Sequence, residues 1–159
     1  MVTNTYDTNS RVIQQDYPGA ATVIYSYTTD GNGNVTQTDM TDARSLVTRM
    51  QFNSAKLMTS RIEAFGTALA RTAIYQYRNT DNLLLATVDP LGPRTEYDYD
   101  ALGNVITRRS LAGTANQLTE TYTYTSDFNQ LATYTDHAAR SRAISTTSRG
   151  GLPKVAILF

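Results

Sequence analysis

The chain of 159 residues has no cysteine and no tryptophan, only one histidine, and no excess of either charge: 14 Lys and Arg stand against 14 Asp and Glu. Without cysteine there is neither a disulfide framework nor a thiolate metal site, and nothing to report on redox compartment. A balanced charge creates no net field to draw in nucleic acid or an anionic membrane, so neither is an expected partner. No apolar run is long enough to cross a bilayer, and no basic start followed by an apolar stretch marks a signal peptide. The expectation is a soluble chain with no address, of unknown localisation.

What the sequence has instead is tyrosine in pairs. Tyr25 and Tyr27, Tyr75 and Tyr77, Tyr97 and Tyr99, and Tyr122 and Tyr124 account for eight of the 11 tyrosines. Met50 and Phe52 fill the gap in the series, and Tyr6, followed by Asp7, begins it. After each second aromatic come small or polar residues, then an Arg, Lys, Asn or Gln, then an aliphatic: Arg11-Val12, Asn34-Val35, Lys56-Leu57, Asn82-Leu83, Asn104-Val105 and Gln130-Leu131. Self-similarity of this kind overrules the reading of any one segment, and six copies make tyrosine an architectural residue here.

One copy shows the local structure. Thr95 to Asp100 alternates as a strand, Ala101 to Asn104 supplies turn chemistry with Gly103 free to take a positive φ, and Val105 to Arg109 resumes a β-prone run. That predicts a β-hairpin, linked by the stretch from Ser110 to Gln117 to a strand over Leu118 to Tyr124. Asp16-Tyr17-Pro18-Gly19 and Asp89-Pro90-Leu91-Gly92-Pro93 read as shorter links, since proline blocks strand continuation. Ala64 to Ala70 reads as a loop rather than a helix, having Gly66 and no capping signal. Asp30-Gly31-Asn32-Gly33-Asn34 lacks the glycine and the bidentate glutamate of a calcium loop, so it reads as a hairpin loop enlarged by two residues. No metal and no cofactor is expected.

Tyr99-Asp100-Ala101-Leu102-Gly103-Asn104-Val105, preceded by Asp89-Pro90-Leu91-Gly92, resembles the YD repeat of the Rhs family of bacterial Rhs toxins, insecticidal toxin complex B and C components, and teneurins. The resemblance covers roughly residues 5 to 142 and weakens away from its centre, where Tyr27 is followed by Thr28 and Tyr77 by Arg78. It implies an all-β array of antiparallel hairpins, a curved strip of sheet that in the family spirals into a hollow shell around a cargo polypeptide. It also implies a structural role, a parent that is often secreted or surface-delivered, and an encapsulated polypeptide as partner. Six repeats supply only an arc of such a wall. Residues 1–142 are therefore expected to be the repeat array and 143–159 a non-repeat tail, which suggests a gene fragment. The Asp89-Pro90 pair lies in the repeat's own linker register, away from any autoproteolytic role.

Three residues invite a catalytic reading. His137 follows Asp136 and lies near Ser141, the residue types of a hydrolytic triad, but adjacency in sequence does not create its geometry. Asp136 also falls at the repeat position assigned to Asp16, Asp39 and Asp89, which favours a surface loop. The tyrosine rows read as an aromatic ladder packed on one sheet face; a sugar- or small-ligand-binding face is the alternative, and an opportunistic ester or phosphoester hydrolase is a further one. Arg108, Arg109, Arg140, Arg142 and Arg149 read as partners in cross-strand ion pairs. Open strand edges and an exposed concave face suggest a homo-oligomer, most simply a twofold dimer, with Val155 to Phe159 as a candidate cover.

Overall fold

The structure, a computed structural model, describes residues 1–145 and the backbone of 154–157. Among the described residues every regular element is a strand. The chain divides into two units, residues 1–76 with 88–92, and residues 77–87 with 93–159.

The first unit contains β1 (Thr3–Tyr6), β2 (Val12–Tyr17), β3 (Ala21–Thr29), β4 (Val35–Thr41), β5 (Val47–Phe52), β6 (Met58–Glu63) and β7 (Arg71–Tyr77), the last reaching one residue past the unit boundary. Each of β1 to β6 pairs antiparallel with its successor in sequence. Next comes β8 (Leu84–Val88), most of which belongs to the second unit. The second unit continues with β9 (Arg94–Tyr99), β10 (Val105–Ser110), β11 (Leu118–Tyr124), β12 (Leu131–Thr135), β13 (Ser141–Ser145) and β14 (Lys154–Ile157), each again antiparallel to the next. The expected strands over Thr95 to Asp100, Val105 to Arg109 and Leu118 to Tyr124 are present within a residue of their expected ends. Strand β13 crosses the 142/143 position where the repeat pattern fades in sequence.

Alternation gives each unit two faces. In the first, Tyr27, Thr38, Met50, Arg61 and Ala73 form one row across β3 to β7, and Ser26, Asp39, Arg49, Ile62 and Thr72 form the row on the opposite face. Neither face is sealed: among the described residues only Ala86, Ala112 and Thr38 are buried. A single layer of this kind cannot rest on a deep apolar core, so hydrogen-bond ladders, turns and contacts along the sheet surface carry its order.

The hairpin turns follow one plan. In residues 100–104 the Asp100 amide donates to the Asn104 carbonyl and the Gly103 amide to the Asp100 carbonyl, with Gly103 at φ 85°. This is the three-residue hairpin loop in which the last loop residue turns left-handed and forms a bulge. Turns 7–11, 30–34, 42–46, 53–57 and 136–140 repeat both hydrogen bonds. The segment from Asp30 to Asn34 is therefore an ordinary turn, not an enlarged one. The two extra residues, Thr28 and Thr29, lengthen the ladder instead, pairing with Gln37 and Val35.

A longer period overlies the hairpins. Loop 64–70 is repeated by loop 111–117, an offset of 47 residues: Thr67 and Thr114 each cap their own loop through amide and hydroxyl to the carbonyls of Ala64 and Leu111. Asp42, Asp89 and Asp136 follow the same offset.

Candidate functional site

The aspartate of the motif works on its own turn. Asp100 Oδ1 accepts from the Leu102 and Asn104 amides, both at 2.9 Å, and Oδ2 from the Asn104 side chain at 2.8 Å. Asp7, Asp30, Asp42 and Asp136 each accept the same two turn amides, two and four residues on. The Asn104 and Asn34 side chains, above all, hold the Asp100 and Asp30 carboxyls below the usual carboxylate value, and the Arg11 and Arg140 amides do so for Asp7 and Asp136. Asp89 accepts from Leu91 in the same way. The shared register of Asp136 and Asp89 therefore holds, but Asp16 and Asp39 do not share it. Both lie inside strands, Asp16 bonded to Gln14 and Thr22, and Asp39 to Arg49. The short Pro-Gly link after β2 needs no aspartate cap, which is why spacing from proline misplaces that register.

The tyrosines bind one hairpin to the one before it. Tyr27 donates its hydroxyl to the Val12 carbonyl at 2.6 Å, Tyr99 to Leu84 at 2.6 Å and Tyr124 to Val105 at 2.9 Å. Each acceptor stands at the start of the strand after the preceding turn, and Val12 and Val105 lie beside a register shift of the ladder. Guanidinium groups cover two of these rings, Arg11 at 4.9 Å from the Tyr27 centroid and Arg78 at 5.7 Å from that of Tyr99. Burial raises the phenol pKa of Tyr27 and Tyr99. The expected ladder of rings stacked on rings is thus largely a series of hydroxyl staples; Tyr122 with Tyr134, 5.4 Å between centroids, is a direct ring pair.

That ring pair belongs to the most connected cluster on the tyrosine face. Glu120 accepts from the Tyr134 hydroxyl at 2.8 Å, from Arg108 at 2.9 Å and from the Tyr122 hydroxyl at 3.2 Å. Tyr134 foremost, against the opposing effect of burial, keeps the Glu120 carboxyl below its ordinary value, with Arg108 and Tyr122 adding to it. Cross-strand register brings these groups together, since Tyr97, Arg108 and Glu120 are successive rungs. On the other face Arg109 pairs with Asp98 and reaches Glu96, which also receives Arg94 at 2.7 Å. Arg108 and Arg109 are ion-pair partners, as expected. Arg149 lies outside the described residues.

Of the three catalytic candidates, Asp136 spends Oδ1 on the turn amides of Ala138 and Arg140, and the Ser141 hydroxyl lies 2.8 Å from that of Thr135. His137 sits exposed in the same turn. Tyr6 is exposed at 55% on β1, and its hydroxyl accepts from Asn4 at 3.3 Å. Tyr25 lies opposite Met40, and Tyr75 is half-buried on β7. No group of three metal-ligating side chains occurs among the described residues, and no helix long and apolar enough to cross a membrane is present among them. The Glu120 cluster and the staples escape sequence reasoning because they depend on cross-strand register. The one available signal is the spacing from the post-turn aliphatic to the next repeat's second tyrosine.

Residues 78–115 match the RHS Repeat family. Among solved structures, the chain is similar to the crystal structure of TcdB2-TccC3 without its hypervariable C-terminal region, with a TM-score of 0.57 and 11% identity over 92% of this chain and 9% of that one. It is similar to the Photorhabdus luminescens Tc holotoxin pore carrying a TccC3 mutation, with a TM-score of 0.56 and 14% identity over 97% of this chain and 10% of that one. A further TcdB2-TccC3 crystal structure gives 0.52 and 12% over 92% and 10%. The chain spans about a tenth of the length of the solved chains it matches. No curated protein matches it. Residues 78–115 thus carry the RHS Repeat in sequence, and nearly the whole length of the chain is similar in fold to TcdB2-TccC3.

Proposed function

We propose that the chain is a structural segment, a run of β-hairpin repeats from the wall of an Rhs-type shell that encloses a polypeptide. The observation that carries this reading is the recurring staple, a tyrosine hydroxyl of one hairpin on a backbone carbonyl of the hairpin before it. A contact made only to the previous repeat can be extended without limit, as a wall requires. The motif's aspartates and Glu120 are committed to holding turns and strands in place, so its polar groups serve architecture.

The test is to express the complete reading frame in which this chain lies and image its product by electron microscopy, with limited proteolysis alongside. A hollow particle protecting an internal polypeptide, opened to protease when residues 1–142 are deleted, is the expected result. A solid particle, or protection unchanged by the deletion, overturns the reading.

The wall reading extends to self-association of the isolated chain, most simply as a twofold dimer. Both sheet faces are wet, and β1 is exposed along all four residues, which favours pairing with a second copy. Light scattering checks this, and a stable monodisperse monomer contradicts it.

A further inference from the structure

The joint between the hairpins carrying turns 30–34 and 53–57 differs from the stapled joints. Phe52 stands where the others have tyrosine, so it has no hydroxyl to donate. It is also displaced in register. Gln51 pairs with Gln37, which sets Phe52 across from Thr36, whereas Tyr124 continues the Thr121 to Thr107 register to stand across from Asn104, the last turn residue. The cause is the pair of extra rungs at Thr28 and Thr29, which carries turn 30–34 beyond its neighbour. Below this step lies a pocket of about 340 Å³, lined by Gly33, Asn34, Val35, Thr38, Phe52 and Lys56. Its volume is at the lower end of small-molecule sites, roughly 300–1,000 Å³.

Two polar groups in this lining have unused capacity. Thr38 is 8% exposed, yet among the described residues its hydroxyl makes no hydrogen bond. No buried side-chain polar atom among the described residues lacks a partner, so this unpaired hydroxyl keeps contact with solvent, on a residue that lines the pocket, and is free to bond a ligand there. Lys56 makes no ion pair among the described residues, although its charge acts on Asp30, whose carboxylate is occupied by its own turn and Asn34. Val35 and the Phe52 ring supply the apolar walls.

We infer that this step between hairpins is a binding site for a small aromatic hydroxycarboxylate. The ring lies against Phe52 and Val35, the carboxylate meets the Lys56 ammonium, and the hydroxyl opposite it reaches the Thr38 hydroxyl. Ring contact, a charge-assisted hydrogen bond and a neutral one are together sufficient for a weak, specific complex. The inference is independent of the wall reading, since it concerns one joint and would stand in a free module as well.

The experiment is titration of the full chain with 4-hydroxybenzoate, followed by heteronuclear NMR and calorimetry, with benzoate as the comparison ligand. Wild type is expected to bind 4-hydroxybenzoate in the micromolar to millimolar range, with shifts centred on the amides of residues 33–38 and 52–56. Thr38→Val, isosteric and without the hydroxyl, should weaken 4-hydroxybenzoate on the order of fivefold to tenfold, one hydrogen bond's worth, and leave benzoate unchanged. Lys56→Gln should weaken both ligands. No binding by wild type at millimolar ligand overturns the inference. So does binding to either variant with wild-type affinity, or shifts spread along the whole tyrosine face.

Discussion

Two joints of the same repeat teach what holds these hairpins together. At the joint formed by turns 100–104 and 125–130, Tyr124 staples the Val105 carbonyl, and Asn104 and Asn129 exchange side-chain hydrogen bonds at 2.7 and 2.9 Å. At the joint of turns 30–34 and 53–57, phenylalanine replaces the stapling tyrosine, Lys56 takes the place of Asn129, and a pocket opens. Asn129 and Lys56 share the left-handed conformation, at φ 51° and 63°. The backbone plan is therefore common to both joints, and closure depends on a hydroxyl, an amide pair and register. A wall can be sealed at one joint and open at another without a change of fold.

The largest expected effect comes from removing the aromatic rings. Tyr124→Ala should lose about 2 kcal/mol, a half-buried ring together with its hydrogen bond, and Phe52→Ala only about 1 kcal/mol, since its ring seals nothing. Urea unfolding of both variants measures the difference; equal losses would mean that the two joints are energetically alike.

Turn geometry gives the next two. Gly103→Val should destabilise by about 1.5 kcal/mol, because a β-branched residue is forced into left-handed space, while Ala101→Val in the same turn should be nearly neutral. The Cβ itself has room, its nearest neighbour being Leu83 Cδ1 at 3.8 Å, so conformation alone is under test. Lys56→Gly runs the other way at the open joint. It relieves a non-glycine residue of a positive φ and should stabilise by roughly 1 kcal/mol. Equal melting temperatures for Gly103→Val and Ala101→Val would refute the turn assignment.

Acid acts on both joints through the turn aspartates. The folded pKa values of Asp30 and Asp100 are depressed, so their contribution is complete above the ordinary carboxylate value of 3.8 and is lost as pH falls through the lower folded values. Asp30→Asn and Asp100→Asn should each flatten the fall in stability below about pH 4, measured by thermal melts from pH 7 to pH 2. An unchanged acid limb in both variants would mean that the carboxylates do not hold the turns.

Much of this was legible in the sequence for a physical reason. Strands β9 to β11 follow from alternation, and the turn at Gly103 from the left-handed conformation only glycine adopts easily. Loop 64–70 follows from Gly66 without a cap. These are local properties. The length of turn 30–34 was misread because its glycines resemble an insertion, while the true insertion, Thr28 and Thr29, has strand character and extends the ladder. The 47-residue period was hidden because alternate hairpins use different links. The Glu120 cluster and the Thr38 pocket were illegible because they depend on which rung faces which, a property of register across strands.

The hydroxyl staples join each of three hairpins to the one before it. Tyr27→Phe, Tyr99→Phe and Tyr124→Phe keep every ring and remove only the hydroxyl, so urea unfolding of the three variants isolates the bond to the preceding hairpin. Each should lose about 0.5–1 kcal/mol with an unchanged m-value, leaving one carbonyl without its side-chain partner. Wild-type stability in all three would contradict the account, and would mean that the tyrosine hydroxyls do not join the hairpins.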